Sequence, residues 1–268
     1  MKLDEHAFSR IDDSSDPQAL IGTIDRLRSS NGMQAIKRQA SVLVAERGYR
    51  LLDVGCGAGD DVQMLAELVG PRGLVVGIDP SASMIDEARR RCDGRGLQVE
   101  FTTGVAERMP FEDGFFDACR AERVLQHAED PQAALAEMIR VVRSGGQIAV
   151  TDTDWGAQAL DSGNLDVTER MRRLQLQRGI RNPTIGRQLR RMFVEAGLQE
   201  IRTIPHVYVE TDFEITGPVL RAAAERARQE GVLSEDEATG WIADLERRAA
   251  DGLYFAAVLM FTVAARKP

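Results

Sequence analysis

The chain has 268 residues, 43% of them hydrophobic and 28% charged, a balance that supports a sizeable folded core and excludes a chain disordered throughout. Its 42 acidic residues outnumber 34 Lys and Arg, so the formal net charge is −8 and we expect no nucleic-acid partner. We find no apolar run long enough to predict a membrane span and no signal-peptide pattern at the N-terminus. Three widely spaced cysteines predict neither a disulfide framework nor a metal site, and we expect a cytoplasmic protein.

The first 48 residues have helical spacing of their apolar positions. Apolar residues recur at helical intervals from Leu20 to Leu27, and a second set begins at Met33 after a polar break at residues 29–32. We expect residues 1–48 to form an N-terminal helical cap on the domain that follows.

From residue 50, short apolar runs alternate with amphipathic stretches. The runs that we interpret as strands are Arg50–Val54, Leu74–Ile78, Leu97–Phe101, Phe115–Cys119 and Gln147–Thr151. The predicted helices between them are Asp61–Val69, Ser83–Arg91 and Pro131–Arg143. Because strands that alternate with helices need crossover connections, the pattern predicts an α/β fold with a doubly wound, mostly parallel, Rossmann-like sheet.

The last third of the chain is less regular. It predicts a helix over Ile185–Ala196, a strand over Ile201–Glu210, two helical stretches within residues 213–250 and a strand over Leu253–Ala264. We interpret residues 49–268 as one domain whose insertions, near residues 155–184 and 212–250, form a lid together with the N-terminal helices.

The most informative segment is the glycine-rich loop that follows the first predicted strand. Gly55, Gly57 and Gly59 alternate between Asp53 in that strand and a predicted helix, which favours a sharp turn and close approach of a ligand to the backbone. Asp79 ends the next strand, a little over 20 residues further on, at the spacing where a carboxylate reaches a ribose diol.

Two ligand classes fit this arrangement, a dinucleotide and a cationic nucleoside. The dinucleotide pattern places its third glycine where this chain has Asp60, and the neighbouring carboxylates of Asp53 and Asp61 disfavour a pyrophosphate at the helix N-terminus. A ligand that carries an ammonium or a sulfonium suits these charges better.

Four ordered segments, residues 51–61, 75–86, 104–111 and 116–131, resemble the class I S-adenosylmethionine-dependent methyltransferases. The similarity is to the small-molecule branch related to ubiquinone and menaquinone C-methyltransferases and natural-product tailoring enzymes. It covers residues 35–152 well and the remainder loosely. The resemblance implies S-adenosylmethionine as the cofactor and a small-molecule acceptor.

The resemblance also implies roles for individual residues at the cofactor site. Asp53 and the three loop glycines would surround the methionine moiety, and Asp79 would hold the ribose hydroxyls. The remaining implied cofactor-binding residues are Pro80 and Met84 beside the adenine, Ala106 and Glu107 in the third segment, and Arg123 near the reactive end. The family shows an Asp where Val105 stands, so adenine recognition would rely on backbone atoms around Ala106.

The acceptor side is expected beyond the carboxyl ends of the fourth and fifth strands. His127 is the candidate general base, with a structural role in its loop as the alternative. Asp152, Asp154 or both would pair with it or bind the acceptor, and Trp155 would line a pocket.

The sequence therefore predicts a methyltransferase that acts on a secondary metabolite or a quinone-like or phenolic compound. The alternative is a non-methylating enzyme, such as a cyclase, that retains the cofactor site. The sequence leaves open whether the methyl group goes to oxygen, nitrogen or carbon, and it is compatible with a homodimer.

Overall fold

The computed structural model describes residues 11–13, 16, 18, 21–22, 24–25 and 30–268. Seven strands in these ranges form one sheet: β1 Arg50–Val54, β2 Leu74–Asp79, β3 Val99–Thr103, β4 Phe116–Glu122, β5 Val142–Leu160, β6 Gln199–Glu210 and β7 Ala256–Arg266. Within residues 30–268 the eight α-helices are α1 Asn31–Ser41, α2 Asp60–Val69, α3 Ala82–Cys92, α4 Pro131–Val141, α5 Leu165–Arg178, α6 Ile185–Glu195, α7 Phe213–Gln229 and α8 Glu235–Ala250.

The strand order is β3-β2-β1-β4-β5-β7-β6. The first five strands in this order pair in parallel, whereas β7 runs antiparallel to both β5 and β6. The order reverses at β1, so the loops after β1 and β4 open a crevice at the carboxyl edge of the sheet. The predicted doubly wound, mostly parallel α/β fold is confirmed.

Both faces of the sheet are covered by helices. Leu51 of β1 packs with α2 on one face, and its neighbour Leu52 packs with α4 and α6 on the other. This alternation follows from the two-residue period of a strand. A third apolar cluster, centred on Trp241, Leu245 and Phe213, joins α5, α7 and α8 to each other.

Local signals explain where most helices begin. Ser81 caps α3 by accepting a hydrogen bond from Met84 N, and Asp130 caps α4, which starts with Pro131. Ser234 and Glu237 form a complete capping box at the start of α8. These polar residues mark the helix starts to within a residue of where the sequence predicts α3 and α4.

The predicted N-terminal cap is described only in part. Ile21 and Ile24 are buried, as their spacing predicts, whereas Leu20 and Leu27 lie outside the described residues. In α1, Met33 and Ile36 pack against Met260 of β7. The division at residue 48 stays a prediction.

A short 3₁₀ turn, Ile11–Asp13, contacts the start of α3. The Asp12 carboxylate accepts hydrogen bonds from Ser81 Oγ (2.8 Å), Ala82 N (2.8 Å) and Ser83 N (3.2 Å). It thereby satisfies backbone donors that the first turn of α3 leaves without intrahelical partners.

Strand β5 is longer than the sequence predicts. The apolar run predicted a strand ending at Thr151, but β5 continues to Leu160 and pairs with β7 as far as Leu160–Ala256, with one irregularity after Asp154. Residues 155–160 therefore extend the sheet, and the inserted helix is α5. No helix of the described ranges is long and apolar enough to cross a membrane.

Candidate active site

The loop between β1 and α2 is built on backbone conformations that favour glycine. Gly55, Gly57 and Gly59 have φ angles of 67°, 54° and 83°. A Cβ on Gly55 would lie 2.4 Å from Val124 Cγ2, in the loop after β4. Gly55 N and Cys56 N both donate to Ile78 O, at 2.7 and 3.1 Å, so the loop is fastened to the end of β2.

Gly59 has a packing role of its own. It is the N-cap of α2, and a Cβ there would lie 2.9 Å from Ala88 Cβ and 3.2 Å from Phe101 Cζ. This glycine therefore permits α3 and β3 to approach the loop closely. It lies outside the wall of the large cavity that Gly55 and Gly57 help to form.

Asp79 closes the loop from the end of β2. One carboxylate oxygen accepts from Gly57 N at 2.9 Å, and the other accepts from Ser81 N at 3.0 Å. The carboxylate lines the cavity, and a carboxylate oxygen can accept more than one hydrogen bond. Pro80 and Met84 lie in the same wall.

A buried charge network lies beneath the loop. Arg120 of β4 is 1% exposed and contacts Asp61 at 2.8 Å, Asp53 at 3.5 Å and Ser41 Oγ at 2.8 Å. Lys37 of α1, also 1% exposed, pairs with Asp61 at 3.0 Å. Lys37 is therefore buried within this network, whereas its neighbour Arg38 is exposed.

The network compensates the carboxylates that the sequence places around the loop. Burial raises the pKa of Asp53, while the charge of Arg120 favours its ionised form. The structure places Asp53 beneath the loop, outside the cavity wall. The third acid, Asp60, pairs with Arg91 of α3 at 3.0 Å.

The segment after β3 forms a second wall of the cavity. Val105, Ala106 and Glu107 all line it. The Glu107 carboxylate accepts from Glu129 N at 2.8 Å, and this bond ties the segment to the loop before α4. The segment begins beside Asp79, since Gly104 N donates to Asp79 O at 3.0 Å; the roles of Ala106 and Glu107 toward a nucleoside stay a prediction.

The loop after β4 carries the candidate reactive residues. Arg123 has a left-handed backbone conformation, with φ of 55°, which is costly for a residue with a side chain. Its backbone N donates to Thr151 O at 2.8 Å, and its Nε donates to Glu122 Oε1 at 2.7 Å. Arg123, Gln126 and His127 all line the cavity.

Asp152 faces away from the cavity. Its side chain is fully buried and accepts from Gln126 N at 3.1 Å and from Thr153 N at 2.9 Å. Burial raises its pKa to about 7, since these two hydrogen bonds only partly offset the desolvation of the carboxylate. Asp152 therefore acts on the loop through Gln126 and does not meet His127 directly. Asp154 forms an ion pair with Arg187.

The far wall of the cavity comes from the lid helices and the end of the sheet. Its apolar residues include Met171, Leu174, Ile215, Val219 and Leu220. Polar groups stand among them: Gln158, Gln175, Arg172, Arg226, Tyr208 and Glu210. Tyr208 donates a hydrogen bond to Glu210, and burial raises the pKa of this phenol to about 12.

The sequence did not single out Tyr208, Glu210 or the two glutamines. Tyr208 and Glu210 lie on β6, the strand at the edge of the sheet farthest from β1. Only the alternation of β6, which turns both side chains to the same face, hinted at a shared surface.

These walls enclose one continuous cavity of about 630 Å³, a volume typical of small-molecule sites. At one end are Gly55, Gly57 and Asp79, and at the other the apolar side chains of α5 and α7. Gly55 and Gly57 form a glycine cradle, a stretch of cavity wall without side chains, and together with the Asp79 carboxylate it fits a nucleoside with a ribose diol. The residues present therefore fit S-adenosylmethionine.

Comparisons with known proteins identify the family. A model of the methyltransferase domain family matches residues 45–197, more than half of the chain. Over 249 residues the chain is 36% identical to an uncharacterised 37.1 kDa protein in transposon TN4556 of Streptomyces fradiae, covering 92% of this chain and 71% of that protein. Over 118 residues it is 36% identical to the demethylmenaquinone methyltransferase of Listeria welshimeri, covering 44% of this chain but only 50% of the relative.

A solved structure shows the same fold. Phosphoethanolamine N-methyltransferase 2 of Haemonchus contortus, in complex with phosphomonomethylethanolamine and S-adenosylhomocysteine, superposes with a TM-score of 0.61. The two are 19% identical, and the match covers 97% of this chain and 60% of that one.

The chain belongs to the methyltransferase domain family. Within it, the chain is a class I S-adenosylmethionine-dependent methyltransferase related to the quinone methyltransferases, so the predicted family and cosubstrate are confirmed.

Proposed function

We propose that this enzyme methylates a small, largely apolar acceptor that carries a ring hydroxyl, such as a quinol or a phenol. The observation that carries the proposal is the continuous 630 Å³ cavity, which joins the glycine cradle to the apolar lid wall. An acceptor lodged against the lid helices would share the cavity with the methyl donor. This geometry provides the proximity on which methyl transfer depends.

The donor end of the cavity would hold the nucleoside through this chain's own groups. Asp79 would accept hydrogen bonds from the ribose hydroxyls, and Gly57 N, which donates to Asp79, keeps the carboxylate in place. Pro80 and Met84 would border the base. When bound, S-adenosylmethionine supplies an electrophilic methyl group on a sulfonium.

The acceptor end would select by shape and by a few polar contacts. Leu174, Val219 and Leu220 offer an apolar surface for a ring system. Gln158 and Gln175 place neutral amide groups among them, which suit hydroxyl or carbonyl oxygens. Arg172 lies in the same wall, but Glu169 pairs with it at 2.7 Å, and this disfavours a strongly anionic acceptor.

The curated relatives support a quinol. The chain is 36% identical to a demethylmenaquinone methyltransferase over 118 residues, which is half the length of that relative. The match covers 44% of this chain, so the acceptor of this enzyme need only share the quinol's chemistry.

The mechanism that we propose relies on placement. Arg123, in its strained conformation, and His127 would stand beside the reacting atoms, while the apolar lid would exclude water. Asp152 would hold the backbone of Gln126, and with it the loop after β4, in place. We also propose a cytoplasmic location, in keeping with three cysteines that are free and buried. The oligomeric state stays a prediction.

The test is a methyl-transfer assay with labelled S-adenosylmethionine and reduced demethylmenaquinone bearing a short side chain. We expect the labelled methyl group in the product and a mass gain of one CH₂ unit. Asp79→Asn should weaken S-adenosylhomocysteine binding in calorimetry by about 1–3 kcal/mol, because a charged acceptor of the ribose is lost. Asp86→Asn, on the exposed face of α3, is the matched control.

Two outcomes would contradict the proposal. Tight S-adenosylhomocysteine binding without methylation of quinols or phenols would refute the acceptor class. A product of unchanged mass with a rearranged skeleton would favour the cyclase alternative.

A further inference from the structure

The two side chains next to His127 in the cavity form a chain of hydrogen bonds that ends on its ring. Trp155 Nε1 donates to Gln126 Oε1 at 2.9 Å. An indole N–H can only donate, so the atom of the Gln126 amide that faces Trp155 must be the oxygen. This contact sets the orientation of an amide that could otherwise be turned over.

A second contact fixes the same orientation independently. The other end of the amide, Gln126 Nε2, lies 3.4 Å from the carbonyl oxygen of Arg123. A carbonyl can only accept, so this end of the amide must be the NH₂ group.

The remaining N–H of this amide meets the ring of His127. Gln126 Nε2 and His127 Nε2 are 3.1 Å apart. Because the amide nitrogen is a donor, His127 Nε2 must accept, and the proton of the neutral imidazole then resides on Nδ1. Placing a proton on Nε2 would set two donors against each other.

Gln126 has little freedom to relieve such a conflict. Its side chain is 5% exposed, and its backbone N donates to Asp152 Oδ2 at 3.1 Å. Its carbonyl accepts from Asn182 N at 2.9 Å, so the residue is held from two sides of the loop. Every polar atom of the buried amide already has a partner, which makes rearrangement costly.

We infer that Gln126, oriented by Trp155 and the Arg123 carbonyl, is a positioning residue that holds His127 as its Nδ1–H tautomer, so that His127 serves the reaction as a hydrogen-bond donor and not as the base. The part that concerns the reaction rests on the proposed methyl transfer. The tautomer itself does not.

The decisive measurement is a long-range ¹H–¹⁵N NMR spectrum of the full chain labelled on histidine, near neutral pH and without acceptor. The chain has three histidines, so the His127→Asn variant assigns the His127 signals. We expect the coupling pattern of the Nδ1–H tautomer for His127. An Nε2–H pattern, an imidazolium, or rapid exchange between tautomers would overturn the inference.

Gln126→Glu tests whether Gln126 is the cause. One carboxylate oxygen would still accept from Trp155, but the other would now face His127 Nε2 as an acceptor, so the proton should move to Nε2. Gln158→Glu is the matched control, since it adds the same charge to the wall of the same cavity. His206, whose Nε2 bonds Thr262 Oγ1 at 2.8 Å within the sheet, is the internal reference.

The expected result is a reversed tautomer in Gln126→Glu alone. An unchanged pattern in that variant, or an equal change in Gln158→Glu, would refute the role of Gln126. Should Gln126→Glu fail to fold, the wild-type spectrum still decides the tautomer. A confirmed tautomer with no methylation of the quinol probe would refute the proposed function and leave this assignment standing.

Discussion

Asp152→Asn should flatten the pH dependence of stability. Burial raises the pKa of this carboxyl from the ordinary 3.8 to about 7, so the folded state binds a proton that the unfolded state has already released. The stability that this proton contributes is complete below pH 3.8 and is lost as the pH rises through about 7. At about 1.4 kcal/mol per pH unit, the loss amounts to about 4 kcal/mol.

The variant cannot titrate at this position, so only the wild type should lose this stability. Asparagine offers one acceptor where Asp152 accepts from both Gln126 N and Thr153 N, and the resulting mismatch adds an offset of about 1–3 kcal/mol that does not vary with pH. The quantity to measure is therefore how the difference in unfolding free energy between the two proteins changes with pH.

Urea unfolding of both proteins at intervals between pH 4.5 and 7.5 measures it. We expect the wild type to lose several kcal/mol relative to Asp152→Asn across this range. Asp86→Asn, which removes an exposed carboxylate from α3, should run parallel to the wild type. A constant difference between Asp152→Asn and the wild type would refute the reasoning, because it would mean that the carboxylate is ionised in the folded protein at low cost.

Three further predictions concern the loop, the network beneath it and His127. Gly55→Ala should lower S-adenosylhomocysteine affinity more than tenfold in calorimetry, whereas Gly94→Ala, with a similar φ of 69° but open space around it, should leave affinity unchanged. Equal affinities would show that the loop yields. Arg120→Met should lower the free energy of unfolding in urea by about 3–5 kcal/mol, because it leaves buried carboxylates without their cation. Arg143 is half-exposed, so Arg143→Met should lower it by no more than about 1 kcal/mol. His127→Ala should slow methyl transfer about 10²-fold, and His127→Asn, which keeps an N–H donor but no base, should recover most of the rate. Equal loss in both variants would point to a base.

The donor end of the site could be predicted because its signals are local. The three alternating glycines lie within the single turn between β1 and α2. Asp79 ends the next strand, so its position depends only on the length of one crossover connection. Periodicity likewise located the strands and helices between residues 50 and 151.

The acceptor end could not be predicted, because its contacts join distant parts of the chain. Arg120 meets Asp61 across 59 positions, and Tyr208 reaches the cavity from the far edge of the sheet. Asp152 illustrates the same limit in one strand: adjacent residues point to opposite faces, and the sequence does not say which face is the cavity. The continuation of β5 to Leu160 depends on β7, more than 90 residues later.

The hydrogen bonds of the Asp12 carboxylate to the start of α3 have a practical consequence. They hold residue 12 against Ser81, two residues away from Asp79 and next to the proposed ribose contact. A recombinant protein that begins after residue 13 would leave Ser81 and the first turn of α3 without this carboxylate. We expect such a protein to bind S-adenosylhomocysteine more weakly.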